Sequence, residues 1–428
     1  MAPLYFEKSS DSTPEFMDFD ILKTSFYHTL TTCLPHALGT NLRKPIDDSS
    51  MSYLVTVNPT APRLPPVTRH VDDECTIAAM RQSGFLPHVQ PKVILCETAK
   101  VVRNPLGGDP LATLDIVYMS DGVGVLLTIS HGIVDMGAYC RFIMEWGLVA
   151  KAMACGANGV ARGIDTDREK FWALVTEDAI PQSPTVFEEH LAGLNATGAV
   201  PAVADKAPAS LFILSADAAA VKRLAQTRDI MCPGVSVPNF ISALLWRTVA
   251  LSYPEARYAY FSSSLTIRND PRFAEYWGNA STAKYMCAPR AQVIEEGVGR
   301  VAGWIQDSVR EFGVGDFAHI LGLFAMGDSW YVRSLGKYVG SAGVPKLSVV
   351  NVSRSVPFYD IDFGWGRPAK VMYQSVRVPG LCFMMPLSRD GGIEITLCLE
   401  EVAANALLAD ELVLNHFVVA KVPSAEAN

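Results

Sequence analysis

The sequence predicts an α/β protein of two domains, each a mixed β-sheet with flanking helices, and three observations lead there. At 428 residues the chain exceeds the roughly 250–300 residues that one hydrophobic core commonly serves. Runs of alternating apolar residues are interleaved with runs of helical period, as expected of sheets covered by helices. A stretch rich in proline, alanine and glycine, at 178–208, falls near the middle and reads as a linker. The expected division is 1–190, a linker at 191–208, and 209–428, with a segment near 370–395 crossing back to the N-terminal sheet.

In chain order, DILKTSFYHTLTTCLPHAL places Leu22, Phe26, Leu30 and Leu34 at helical spacing until Pro35 stops it. SYLVTV at 52–57 reads as a strand, followed by a proline-rich loop. Three strand candidates follow, KVILCETAKV, LATLDIVYM and VGVLLTIS, the last two joined by a Ser120-Asp121-Gly122 turn that signals a hairpin. After Asp135 the period changes. Tyr139, Phe142, Ile143, Trp146, Val149 and Met153 form one helical face that ends near Gly156.

Beyond the linker, LFILS is a strand, DAAAVKRLAQTR a helix, and SVPNFISALLWRTVALSY a buried helix capped by Ser236 or Asn239. Strand YAYFSSSLTI, a loop, two helices around 291–335 and strand KLSVVNVS come next. FMMPLSRDGGIEITLCLEEVAANALLADEL then repeats the order strand, Asp-Gly turn, strand, helix seen at 112–150. In this second copy Leu399-Glu400-Glu401 stands where the first has His131-Gly132-Ile133.

Composition narrows the function. Apolar residues at 49% and charged residues at 19% are ordinary for a globular protein, and a net charge of −8 argues against a nucleic-acid or anionic-membrane partner. The first residues lack the basic end and apolar core of a signal peptide, and no stretch of about 18 apolar residues follows, so a cytoplasmic location is expected. The nine cysteines are dispersed without Cys-x-x-Cys spacing and are expected to be buried small hydrophobes, not disulfides or zinc ligands. No histidine spacing suits a metal, and no bound cofactor is implied. The chain has no Gly-x-x-x-x-Gly-Lys loop, dinucleotide fingerprint or Gly-x-Ser-x-Gly elbow, which removes support for ATP, NAD and serine-hydrolase chemistry.

His131 is the leading catalytic candidate. It sits where a strand gives way to a helix, a position that presents side chains into clefts. Histidine is the side chain whose unperturbed pKa, roughly 6.5, suits proton transfer near neutrality. Asp135, four residues on, is placed either to orient it or to brace the turn. In DFGWG, Gly364 and Gly366 permit a tight turn that packs Trp365, and Asp362 can accept backbone or arginine hydrogen bonds, a structural reading.

The pair HGIVD and DFGWG, in this order and at this separation, resembles the BAHD acyl-CoA-dependent acyltransferases. NDPRFAEYWGNAS, with Tyr276-Trp277-Gly278-Asn279, is similar to the family's Tyr-Phe-Gly-Asn segment, and SALLWRTVALS and PFYDIDFGWGRP also match, so the likeness spans almost the whole chain. Fungal members similar to trichothecene acetyltransferases have comparable wording. The resemblance implies two chloramphenicol-acetyltransferase-like domains with an active-site tunnel between them. It implies transfer of an acyl group, acetyl first, from a CoA co-substrate to a hydroxyl or amine of a small specialised metabolite.

In that scheme His131 and Asp135 are the catalytic pair, His131 as general base in a ternary complex and Asp135 as a brace paired with Arg268 in preference to Arg272. Asp362, Gly364, Trp365 and Gly366 shape the CoA site indirectly, and Asn351 or Ser353 steadies an oxyanion. A monomer is expected. The chain departs from the family pattern at Met136, where a glycine is usual, and at Asn351-Val352-Ser353, where Thr-Ser-Trp is usual. These departures leave room for a cyclase or isomerase using the same cleft without acyl-CoA; a non-catalytic binding protein of the same fold is the other alternative, and the intact His131 and Asp135 argue against it.

Overall fold

The computed structural model describes residues 2–9, 16–43, 53–56, 62–86, 89–94, 110–167, 169–174, 209–325, 343–352, 356–372 and 378–422. They form two compact units. The first is Met1–Asp167 with Pro271–Ala280 and Ser355–Gln374; the second is Arg168–Asp270 with Ser281–Arg354 and Ser375–Asn428. The expected linker lies outside the described residues. Two pieces of the C-terminal sequence group with the first unit, so DFGWG falls there and not in the 209–428 half, while the strand that crosses back to the first sheet, Lys370–Val371, lies at the start of the expected 370–395 segment. The placement of DFGWG arises from contacts between residues far apart in the chain, which local pattern does not encode.

The first unit holds a five-stranded sheet in the order β11-β1-β6-β5-β4. Here β1 is Leu4–Glu7, β4 Val67–Val71, β5 Ala112–Met119, β6 Gly122–Ile129 and β11 Lys370–Val371. Strand β4 runs parallel to β5, and the other neighbours are antiparallel. A separate pair joins β2 (Thr40–Arg43) to β3 (Tyr53–Thr56). Strand β6, GVGVLLTI, is buried along its whole length, as a continuous apolar run with both faces covered should be.

Successive residues of β1 serve opposite faces of this sheet. Tyr5 joins Ile77, Met80, Phe85 and Leu126 on the side of α2 (Ile77–Gln82). Phe6 meets Phe363, which packs on Trp146 with ring centroids 4.5 Å apart, and Trp146 meets Phe26 at 5.4 Å. Those residues belong to α1 (Phe19–Cys33), α3 (Met136–Ala154) and the DFGWG turn. The Ser120-Asp121 turn also starts α2, because the Asp121 carboxylate accepts from Ile77 N at 2.8 Å and Ala78 N at 2.9 Å.

The second unit holds a seven-stranded sheet in the order β14-β7-β13-β12-β10-β8-β9. Its strands are β7 (Ala209–Ala216), β8 (Tyr258–Thr266), β9 (Ser281–Pro289), β10 (Lys346–Asn351), β12 (Leu381–Met384), β13 (Ile393–Glu400) and β14 (Val418–Val422). Strand β10 is parallel to both neighbours and the remaining pairs are antiparallel, so both large sheets are mixed. From residue 218 onward its helices are α4 (Ala218–Met231), α5 (Val237–Leu251), α6 (Arg290–Glu295), α7 (Gly297–Glu311), α8 (Val314–Ala325), α9 (Glu401–Ala409) and α10 (Glu411–Leu414). Helix α5 is apolar nearly all round and forms the centre of the core; Ser236 caps it by accepting from Asn239 N at 3.3 Å.

Several readings of the sequence are corrected. Lys92–Ile94, the described part of KVILCETAKV, is helical; Pro91 immediately before it has a fixed φ suited to a helical start, and a short apolar run does not itself distinguish strand from helix. Three helices occupy the described part of 290–335 where two were expected. Strand β9 follows the loop after β8 unforeseen, because STAKYMCAP is weak in β-formers and is made a strand by its pairing with β8. Cys155 is exposed, unlike the buried Cys33, Cys140, Cys232, Cys382 and Cys398. Among the described residues no helix is long and apolar enough to cross a membrane.

Candidate active site

The HGIVD loop is shaped by alternating exposure. Ser130 N donates to Leu111 O at 2.8 Å as β6 ends, and Ile133 N donates back to Ser130 O at 2.9 Å, closing a turn. Ile133 and Val134 are buried at 3% each and anchor the loop in the core, which leaves His131 and Gly132 exposed at its apex. Helix α3 starts immediately afterwards. Its N-cap is Asp135, only 3% exposed, whose Oδ1 accepts from Ala138 N at 2.9 Å.

Asp135 Oδ2 accepts from a second backbone donor, Ala280 N, at 2.9 Å. Asn279, the preceding residue, donates from Nδ2 to the His131 carbonyl at 2.9 Å and lies 3.4 Å from His131 Nδ1. The dipeptide Asn279-Ala280 thus grips both ends of the His-x-x-x-Asp loop. Asp135 braces the loop through backbone donors; the ring of His131 is met by an amide.

The 271–280 segment is itself held to the first unit at several points. Arg141 Nη1 donates to Ala274 O at 2.6 Å, and Trp277 N donates to Asp165 O at 2.9 Å. Tyr276 is buried to 1%, and Gly278 lies against its ring so closely that a Cβ there would stand 2.1 Å from Tyr276 Oη. Only glycine fits this approach. Asn279 was not among the expected site residues, although YWGN was quoted as a motif; its proximity to His131 comes from a contact across 148 positions of sequence.

Arg268, in the second unit, donates from N and Nη1 to Thr266 Oγ1 at 3.3 and 3.2 Å. The Arg272 guanidinium lies 5.5 Å from the centre of the Phe273 ring. Asn351 is half-buried at the end of β10, and Ser353 lies outside the described residues.

DFGWG occupies the opposite end of α3 from His131. Asp362 Oδ2 accepts from Lys151 Nζ at 2.7 Å, and its Oδ1 accepts from Gly364 N at 2.8 Å and Gly366 N at 3.1 Å. Lys151 is 16 residues beyond Asp135, about 24 Å along the helix axis at 1.5 Å per residue. Gly364 and Gly366 both take φ near +105°, a backbone region that other residues avoid. The turn packs Phe363 into the core, while the expected Trp365 remains half-buried. Gly147 lets the turn approach: a Cβ there would sit 3.0 Å from Asp362 O. Partial burial pushes the Asp362 carboxyl up, but Lys151 and the two glycine N–H groups outweigh it and hold it below the usual carboxylate range.

Comparison with known proteins identifies the family. A model of the Transferase family matches residues 93–410. The chain belongs to the Transferase family. Membership bears out the resemblance to the BAHD acyltransferases, and this member of the family is an acyltransferase. It is 22% identical over 396 residues to the Dahlia pinnata malonyl-coenzyme A:anthocyanin 3-O-glucoside-6''-O-malonyltransferase, covering 84% of this chain and 80% of that one.

Among solved structures it is similar to F. sporotrichioides TRI101 complexed with coenzyme A and T-2 (TM-score 0.71, 16% identity, 99% of this chain and 95% of that one). It is also similar to vinorine synthase (TM-score 0.62, 15% identity, 97% and 89%). At these identities the likeness to the structures establishes the fold: two units of mixed sheets with flanking helices. Among the described residues of this Transferase-family chain, no group of three or more His, Cys, Asp and Glu is placed to hold a metal ion.

Proposed function

We propose that the protein transfers an acyl group from an acyl-CoA thioester to a hydroxyl or amine of a small metabolite, with His131 as general base. The observation that carries this reading is the exposed imidazole at the apex of a loop anchored by the buried Ile133, Val134 and Asp135. A histidine presented in this way is costly to explain as structure, since it contributes no packing. His131 takes the proton of the acceptor as that atom attacks the thioester carbonyl, and returns a proton to the departing CoA thiolate. Both substrates meet in one complex, so no acyl-enzyme forms. General-base assistance of this kind contributes on the order of 10²–10⁴ in rate.

The relatives support CoA as the acyl carrier, since one is named for malonyl-coenzyme A and another is complexed with coenzyme A. Acetyl is the acyl group we favour, with malonyl the direct competitor. DFGWG contributes from a distance by fixing the far end of α3 and thereby the helix whose first turn Asp135 caps.

The test is release of free CoA from acetyl-CoA and malonyl-CoA, offered with a panel of small alcohols, glycosides and amines, for the native protein and His131→Ala. Release that needs an acceptor and falls by about 10²–10⁴ in the variant is expected. Full turnover by His131→Ala would sink the assignment of the base. Conversion of a panel compound without any CoA thioester would replace acyl transfer with an isomerase or cyclase reaction.

A further inference from the structure

Among the described residues the His131 ring has one polar partner, and it is a neutral amide. Asn279 Nδ2 stands 3.4 Å from Nδ1 while bonded at 2.9 Å to the carbonyl of the same histidine. The acid of the loop, Asp135, directs one carboxylate oxygen to Ala138 N and the other to Ala280 N. No ion pair to His131 forms among the described residues, and the group that reaches the ring from the 271–280 segment is the uncharged Asn279.

We propose that Asn279 is a positioning residue that sets which ring nitrogen of His131 carries the proton, a proposal that rests on the acyl-transfer reading above. An amide nitrogen only donates, so Nδ1 accepts in this arrangement and the neutral ring carries its proton on Nε2. Base catalysis at Nε2 requires the opposite tautomer. Turning the amide over brings Oδ1 to the ring, where it accepts from Nδ1–H and frees the Nε2 lone pair; the bond to the His131 carbonyl is given up.

At 3.4 Å the contact to Nδ1 is longer than a well-formed hydrogen bond of roughly 2.7–3.2 Å, so the cost of the exchange falls on the 2.9 Å bond to the His131 carbonyl. An amide serves both tautomers in turn. A carboxylate at the same place serves only Nδ1–H and the imidazolium, and an alanine serves neither.

The experiment is ¹⁵N NMR of histidine-labelled full-length protein, native, Asn279→Ala and Asn279→Asp, with His131→Gln used to assign the His131 ring signals. The native ring is expected as the Nε2–H tautomer when neutral, and Asn279→Asp is expected to move it to Nδ1–H. In turnover with whichever acceptor the panel identifies, Asn279→Asp is expected to shift the acid limb of kcat/KM to higher pH. Asn279→Ala is expected to lower kcat by about tenfold, a part of the general-base contribution, with KM nearly unchanged.

A native ring already in the Nδ1–H form overturns the proposal whether or not any variant folds. So do ring signals and a pH limb identical in all three proteins. The NMR readout needs neither CoA nor acceptor: a tautomer change without acyl transfer would overturn the function and not this assignment, and acyl transfer without a tautomer change would do the reverse.

Discussion

The strand–turn–strand–helix segment occurs once in each unit, and the two copies differ at the junction that follows the second strand. In the first unit residues 130–135 separate β6 from α3; in the second, β13 ends at Glu400 and α9 begins at Glu401 with nothing between. Both helices have an acid at the N-cap, and both acids are buried, Asp135 to 3% and Glu400 to 7%. Asp135 caps its own helix. Glu400 makes no such bond; both of its oxygens accept from Gly343 N at 3.1 Å, and it interacts with Tyr253 and the buried Lys346. A short insertion converts a closed junction into a loop with an exposed apex, where His131 sits.

Exchanging the consequences of the two junctions tests this. Replacing His131, the proposed base, should cost turnover and leave folding intact, whereas Glu400→Ala removes the acceptor of Gly343 N and the charge that offsets the burial of Lys346, and should destabilise the protein by about 1–3 kcal/mol. Urea unfolding followed by tryptophan fluorescence measures it, and a Glu400→Ala variant as stable as the native protein would dissolve the contrast. Asp135→Ala falls between the two classes. It removes the cap of α3 and the Asp135 acceptor of Ala280 N, so a loss of about 2–3 kcal/mol is expected together with reduced kcat. If stability falls while kcat holds, the loop does not depend on its brace.

The far end of α3 sharpens the comparison further. Asp362→Ala should cost about 1–2 kcal/mol, limited by the solvent screening of its exposed partner Lys151. Because the folded carboxyl titrates below its unfolded value of roughly 4, its contribution is present above that value and is lost as pH falls through the folded one. Thermal melts from pH 6 to 3 should therefore show the gap between native protein and variant closing on the acid side.

A separate pH window belongs to Lys346, where burial, countered in part by Glu400, pushes the ammonium down to about 8 from 10.5. The unfolded chain then binds more protons between those values, so stability rises with pH across that window. Lys346→Met should flatten the rise in melts between pH 8 and 10.5; a slope equal to that of the native protein would remove Lys346 as its source.

Local features of the chain determined the two helices that frame the site, the β5–β6 hairpin, and the choice of His131 and Asp135. Each rests on residues a few positions apart: alternation along a strand, a turn dipeptide, an acid at a helix start, and helical period. Tertiary structure alone decided the rest. DFGWG joined the first unit because Lys151 and Trp146 lie on α3, more than 200 positions away in sequence from Asp362 and Phe363. Asn279 reached His131 across 148 positions, carried by a segment whose own pattern records neither destination. The physical reason is that local pattern reports the conformation a residue prefers and the face it buries. Which distant backbone supplies its hydrogen bonds is settled only when the core packs and every buried donor and acceptor must find a partner.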